Sequence, residues 1–410
     1  MKLDAYKKVT GIVTLRMLRQ LAKHLKGAKV VHVNSTRQGG GVAEILSWLI
    51  PLKRDLGIDA SWEVIEGDEP FFALTKIFHN ALQGNPIDAS PAALRAYEET
   101  SESNAARLRP LLEEADFVFI HDPQPARLIL HCPNRKGRWF WRCHIDASRP
   151  HRPIWKYLAP VVQRYDASVF SMVQFAQPVN HPQFLIAPSI DPLSEKNCDL
   201  PQEEIGLALE SFSLDPARPI LTQISRFDRF KDPLGVIAAY RLVKQFMPVQ
   251  LVLAGGGASD DPEGEAVLSE VRQSAANDPD IHILLLPGDA HRTINALQRG
   301  SDIVIQKSLK EGFGLTVTEG LWKGKPVIGG DVGGIKLQVI PHHTGYLVHT
   351  PEGAAHWIRY LLQHRPLREA MGRKGREFVR ENFLLSRHLR EYLTLMMGFK
   401  LGMTDRLMAG

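Results

Sequence analysis

Cysteine is scarce in this 410-residue sequence: Cys132, Cys143 and Cys198 form an odd, widely spaced set with no CxxC pair. No disulfide framework and no zinc signature can be built from them, and they suit a reducing cytoplasm. Also missing is any apolar run approaching the roughly 18 residues of a membrane span. The opening MKLDAYKKVTGIVTLRMLRQ scatters charge along its length, so a secretory signal is not expected. There is no HExxH and no DxD set beside a strand end, and Asp260-Asp261, ahead of a Pro-Glu-Gly turn, read as solvated. Metal binding is therefore not expected. GxSxG is absent, which removes support for a serine nucleophile. GxGxxG is absent too, and no acid stands clearly in the ribose role behind the glycines, so a nicotinamide cofactor is the weaker reading. Internal repeats and low-complexity segments are also lacking.

Basic charge is missing from the middle of the chain. The net charge is +5, yet residues 1–29 alone hold eight Lys/Arg against one Asp, and residues 361–410 hold ten Lys/Arg against five Asp/Glu. The 331 residues between them carry a balance of −7. A groove that neutralises many phosphates needs its cations in the body of the protein, so nucleic acid is disfavoured as a partner. The basic ends read as helices packing on the first domain. A helix lying on an anionic membrane is the minority reading, which vesicle co-sedimentation at physiological salt decides.

What is present is a globular composition, 44% hydrophobic and 23% charged, long enough for two or three domains. Short apolar strands alternate with helical patterns: AKVVHVNS (28–35), IDASWEVIEG (58–67), ADFVFIHDPQP (115–125), RWFWRCHIDAS (138–148) and YDASVFS (165–171). The alternation restarts at RPILTQISRFD (218–228) and continues through VQLVLAGGG, IHILLLPG, DIVIQKS and KPVIGGDVGG. The expected fold is α/β, two Rossmann-like doubly wound parallel-sheet domains facing across a cleft, with sites at the carboxyl ends of strands. The first domain is expected over 1–190 on the acceptor side, a linker region over 191–217, and the second domain over 218–385 on the donor side. A C-terminal helix, 386–410, is expected to cross back to the first domain.

The most informative stretch is Glu311-Gly312-Phe313-Gly314-Leu315-Thr316-Val317-Thr318-Glu319, between a strand and an apolar helix. Its glycines let backbone N–H groups approach an anion, and the helix N-terminus adds partial positive charge. Carboxylates in loop and helix suit hydroxyls at opposite ends of an elongated ligand. A sugar nucleotide matches, with sugar at Glu311, diphosphate at the loop amides and ribose at Glu319. In SRFDRFK (225–231), Arg226 and Lys231 can neutralise a diphosphate leaving group if the chain turns at Asp228. Gly39-Gly40-Gly41 opens a helix whose amides can close on the same phosphates. His144 and Asp146, with the parallel His121-Asp122 pair, stand at strand ends as candidates for sugar hydroxyls, and Glu44 for acceptor hydroxyls. Trp139, Trp141 and Trp155 read first as core, with stacking on a sugar as the lesser role.

Taken together these motifs resemble retaining glycosyltransferases of the GT-B fold, family 4, over both domains. Within that group the chain resembles the glycosyltransferring trehalose synthases, through VHVNSTRQGGGVAEIL, FHNALQGN, VFIHDPQPA, WRCHIDAS, PSIDPLSEKN, EGFGLTVTEGLWKGKPVIG and VGGIKLQ. The resemblance implies that Glu311 meets the donor sugar, Glu319 the ribose, Arg226 and Lys231 the diphosphate, and His144 the reacting sugars. One departure is Gly320, where Ala is more usual, which is expected to loosen the helix start.

The implied reaction moves glucose from an NDP-glucose co-substrate to free glucose, giving α,α-trehalose. No tightly bound cofactor is implied, and Mg2+ would come with the nucleotide. Partners are small molecules, a homo-oligomer is compatible, and uridine, adenosine and guanosine remain open as the base. The rivals are a family 4 transferase with a sugar-phosphate, polysaccharide or lipid-linked acceptor, a sugar-nucleotide epimerase, and a catalytically silent sugar-nucleotide sensor.

Overall fold

Buried runs such as Phe117–His121 and Ile303–Gln306, apolar up to their last residue, form inner strands of parallel sheets covered on both sides. The structure, a computed structural model, describes residues 2–38, 40–256 and 262–402. Gly39, Asp260, Asp261 and the end of the expected C-terminal helix, 403–410, lie outside the described residues. The chain divides into two compact units: Met1–Ser189 with Leu385–Gly410, and Ile190–Leu384.

The first unit is built on six parallel strands: β1 (Lys29–Asn34), β2 (Asp59–Val64), β3 (Phe117–His121), β4 (Arg138–Arg142), β5 (Ala167–Phe170) and β6 (Gln183–Leu185). They lie in the order β2-β1-β3-β4-β5-β6, so the strand order reverses between β1 and β3. Its last helix, Leu385–Lys400, packs on this sheet, with Tyr392 against Phe119 of β3 and Phe399 against Phe140 of β4. The Lys400 ammonium donates to the His24 carbonyl at 2.9 Å, tying that helix to the basic N-terminal helix Lys7–Lys23.

In the second unit the strands are β7 (Ile220–Ile224), β8 (Gln250–Gly255), β9 (Ile281–Leu285), β10 (Ile303–Gln306), β11 (Val327–Gly330) and β12 (Gly345–Val348). Their order is β12-β11-β10-β7-β8-β9, all parallel, with the reversal between β7 and β10. Both sheets are thus doubly wound α/β, as expected. The stretch read as a linker is more structured than a spacer. It contains the helix Gln202–Ser211, whose Ile205 and Leu209 pack with Ile220, Ile224 and Leu297 in one cluster of the second unit's core. Among the described residues no helix is long and apolar enough to cross a membrane.

Candidate active site

A doubly wound sheet opens a crevice where its strand order reverses, because neighbouring crossovers leave on opposite faces there. In the second unit the loops after β7 and β10 meet at such a point. The β7 loop turns at Asp228, whose Oδ1 accepts the Phe230 N–H at 2.7 Å and caps the short turn Arg229–Lys231. Asp232, at φ 49°, then starts the helix Pro233–Lys244 by accepting the Gly235 N–H, and also pairs with the buried Lys307 ammonium. Within this frame Lys231 Nζ lies 2.6 Å from Glu311 Oε2. The Gln223 amide donates to the Lys231 carbonyl at 2.7 Å, and the Ser308 hydroxyl to Glu311 Oε2 at 3.3 Å. The structure thus brings the basic loop and the glycine loop together through one ion pair. Arg226 stays exposed, with its guanidinium 3.4 Å from Asp228.

Gly314 adopts φ 83°, a left-handed backbone that side chains resist, and gives the helix Leu315–Trp322 an N-terminus without a side-chain cap. The first-turn N–H groups there carry the helix's partial positive charge. The loop is braced from behind: Gln338 donates to the Phe313 carbonyl at 2.6 Å, and the Gly334 N–H to the Glu311 carbonyl at 3.3 Å. Thr316 donates its hydroxyl to Gln306 at 3.3 Å.

Glu319 is placed differently. Its carboxylate is fully buried, 3.2 Å from Lys196 and 3.3 Å from the Gln298 amide. Burial alone would raise its pKa, but the Lys196 and Lys323 ammoniums outweigh that and hold it below the usual value. A ribose hydroxyl binding this carboxylate would compete with Lys196, Lys323 and Gln298. Lys196 comes from the SEKN segment, where its charge was legible and its partner was not. Gly320 is a packing position within an unbroken helix: a Cβ there would stand 3.1 Å from Val304 of β10. The expected loosening of the helix start does not occur.

In the first unit the candidate residues stand after β1, β3 and β4. Gly40, at φ 82°, precedes the helix Gly41–Asp55, which also carries the half-buried Glu44. His144 follows β4, and its Nε2 lies 2.9 Å from His121 Nδ1 at the end of β3. Asp122 takes φ 65°, and its Oδ1 accepts the His144 backbone N–H at 2.7 Å. Burial raises its carboxyl to about 7. Asp146 is engaged locally by the Ser148 N–H at 3.0 Å. Trp139 and Trp141 are fully buried core residues, which removes them as stacking platforms. Behind His144 lies what the sequence did not reveal: His121 Nε2 is 2.9 Å from His32 Nδ1, and His32 Nε2 is 2.7 Å from the fully buried Lys53 Nζ. Among the described residues no cluster of three or more His, Cys, Asp or Glu is arranged to hold a metal ion.

Two family profiles match the chain. One, described as the trehalose synthase N-terminal domain, covers residues 32–177, and one described as glycosyl transferases group 1 covers 209–378. The chain is 46% identical over 403 residues to a trehalose synthase of Thermococcus litoralis, covering 97% of each chain. It is 47% identical over 386 residues to a trehalose synthase of Rubrobacter xylanophilus, covering 92% of each. A solved α,α-trehalose-phosphate synthase (UDP-forming) from Burkholderia xenovorans superposes with a TM-score of 0.72 over 91% of this chain and 100% of that one, at 14% identity.

Proposed function

The chain belongs to the trehalose synthase family of GT-B glycosyltransferases, and from that membership we propose that it makes α,α-trehalose. Glucose passes from a nucleoside-diphosphate glucose to the anomeric hydroxyl of free glucose, with retention of configuration and release of the nucleoside diphosphate. The observation that carries this reading is the 46% identity to a relative called trehalose synthase over nearly the whole of both chains. The three free cysteines support a cytoplasmic site of action.

In this reading the diphosphate sits at the Gly314 helix N-terminus, with Lys231 and Arg226 as its cations. Glu311, already held by Lys231, turns its carboxylate to the donor sugar hydroxyls. His144 contacts the reacting sugars. A double displacement needs a carboxylate nucleophile about 5–5.5 Å from a partner acid. Both Asp122 and Asp146, the acids flanking His144, have an oxygen engaged by a backbone N–H instead. One such contact leaves the second oxygen free, and the reading takes front-face transfer through an oxocarbenium-like state because no residue of the sequence declares itself as the nucleophile, with the departing phosphate taking the acceptor proton. Lys231, Arg226 and the loop amides then stabilise charge developing on the leaving group.

The deciding experiment incubates NDP-glucose separately with glucose, glucose 6-phosphate and lipid-linked acceptors and identifies the product. Trehalose from free glucose supports the proposal. A product from another acceptor alone moves the chain to the second reading, and no nucleoside diphosphate release at all leaves only a sensor. Glu319→Gln keeps shape but removes the charge that holds Lys196. Donor affinity measured by calorimetry is expected to fall about tenfold or more, the scale of a lost charge-assisted hydrogen bond. Unchanged affinity contradicts the ribose role.

A further inference from the structure

Four side chains from four elements form one hydrogen-bonded ladder through the first unit: Lys53 from the helix Gly41–Asp55, His32 from β1, His121 from β3 and His144 after β4. The successive nitrogen separations are 2.7, 2.9 and 2.9 Å. The rings of His32 and His121 stack at 5.2 Å, as do those of His121 and His144. Only His144 is more than marginally exposed. Such a column has a polarity, and its far end decides which way it runs.

An ammonium carries donors and no acceptor, and a neutral imidazole carries one N–H and one lone pair. With Lys53 charged, its Nζ donates to His32 Nε2, so the His32 proton lies on Nδ1. His32 then donates to His121 Nε2, which puts the His121 proton on Nδ1. His121 in turn donates to His144 Nε2. The His144 proton is thereby confined to Nδ1, the ring nitrogen outside the ladder. A neutral Lys53 amine both donates and accepts, so the column loses its imposed direction.

We propose that Lys53 is a positioning residue that sets the tautomer of His144 through His32 and His121, so that His144 presents an Nδ1–H donor to a sugar oxygen. This rests on the reading of His144 as a contact of the reacting sugars. Burial holds all three ladder histidines well below their ordinary pKa, so they stay neutral and the one-proton count applies. Facing Lys53 are His32 and His121 from the sheet, His388 from the last helix, and the rings of Phe119 and Tyr392 at 5.0 and 4.9 Å. Arg142 of β4 acts on His121 and His144, and Arg387 of the last helix acts on His388. Among the described residues no carboxylate acts on Lys53, and burial brings its pKa down to about 7. The imposed polarity is therefore complete in mild acid and released as pH rises through neutrality.

The test is 15N NMR of the full protein labelled at histidine, without substrate, with His144 assigned by difference from His144→Asn. In the wild type at pH 6 the His144 proton is expected on Nδ1, with Nε2–H growing in as the pH is raised. In Lys53→Met both tautomers are expected already at pH 6, without pH dependence. Steady-state kinetics should show kcat of Lys53→Met reduced about tenfold with donor KM little changed, and the basic limb of the pH profile gone. Wild-type His144 protonated on Nε2 at pH 6 overturns the proposal without any need for the variant to fold. Lys53→Met retaining a complete Nδ1 tautomer overturns it equally. The two layers fail separately: wild-type turnover in His144→Asn removes the sugar contact, whereas the tautomer measurement involves no substrate.

Discussion

Replacing Lys231 with alanine is expected to lower kcat by about 10²–10³, the loss found when one preorganised charge-stabilising donor is removed. Lys231 is the only cation found in direct contact with Glu311 among the described residues, at 2.6 Å, and both side chains are largely sheltered. Sheltering from solvent makes the pair's charges count for more than those of a surface pair. The ammonium has three donors and uses one on Glu311, so it can meet a phosphate oxygen without releasing the carboxylate. A purely structural pair makes a different forecast. Lys231→Ala and Glu311→Ala would then lower stability by similar amounts, and turnover per folded molecule would survive. Arg226 is exposed and only loosely held by Asp228, so Arg226→Ala should leave stability within about 0.5 kcal/mol while also reducing kcat. Nucleoside diphosphate release at saturating donor, set beside unfolding midpoints, separates the two accounts. Near-wild-type turnover in both variants removes the leaving-group assignment.

The sequence made the sheets and the glycine loop readable because each depends on local pattern. β3 and β10 are apolar up to their last residues, His121 and Gln306, and Gly314 sits where a strand gives way to a helix. The short strands β6 and β12, QFL and GYLV, escaped because three or four residues show no period and their neighbours supply the pairing. Lys53 was hidden for another reason. A lysine in the last turn of a helix is what the helix dipole favours on a solvated surface, and only the fold turns it toward His32. Glu319 was legible as a candidate acid, but its enclosure by Lys196 and Gln298 depends on contacts 123 and 21 residues away in sequence. Gly320 looked like a weakness in a helix. It is a spacing requirement against Val304, which helix propensity does not register.

Acid is expected to start destabilising the first unit at a pH where ordinary carboxylates are still ionised. His32, His121, His144 and His388 are all held neutral by burial, with folded pKa values well below the 6.5 they have when unfolded. As pH falls through 6.5 the unfolded chain takes up protons that the folded chain refuses. Each such histidine then costs about 1.4 kcal/mol of stability per pH unit. Lys53 acts with the same sign at higher pH: its contribution is complete above 10.5 and is lost as pH falls to about 7. Asp122 acts oppositely. Its carboxyl is raised from 3.8 to about 7, so its contribution is present in acid and lost as pH rises through about 7. It offsets about one histidine, so the four histidines and Asp122 taken together still lose stability as pH falls below 6.5. Urea midpoints measured by circular dichroism between pH 7.5 and 4.5 check the slope, and a flat profile contradicts it. His388 gives the sharpest control. Among the described residues neither of its ring nitrogens has a hydrogen-bond partner, and the ring stacks on Tyr392 at 4.9 Å. His388→Phe keeps the stack and removes two unsatisfied buried nitrogens, so stability at pH 7 should hold or rise. The acid slope should fall by one proton, because a phenyl ring has nothing to protonate when the chain unfolds.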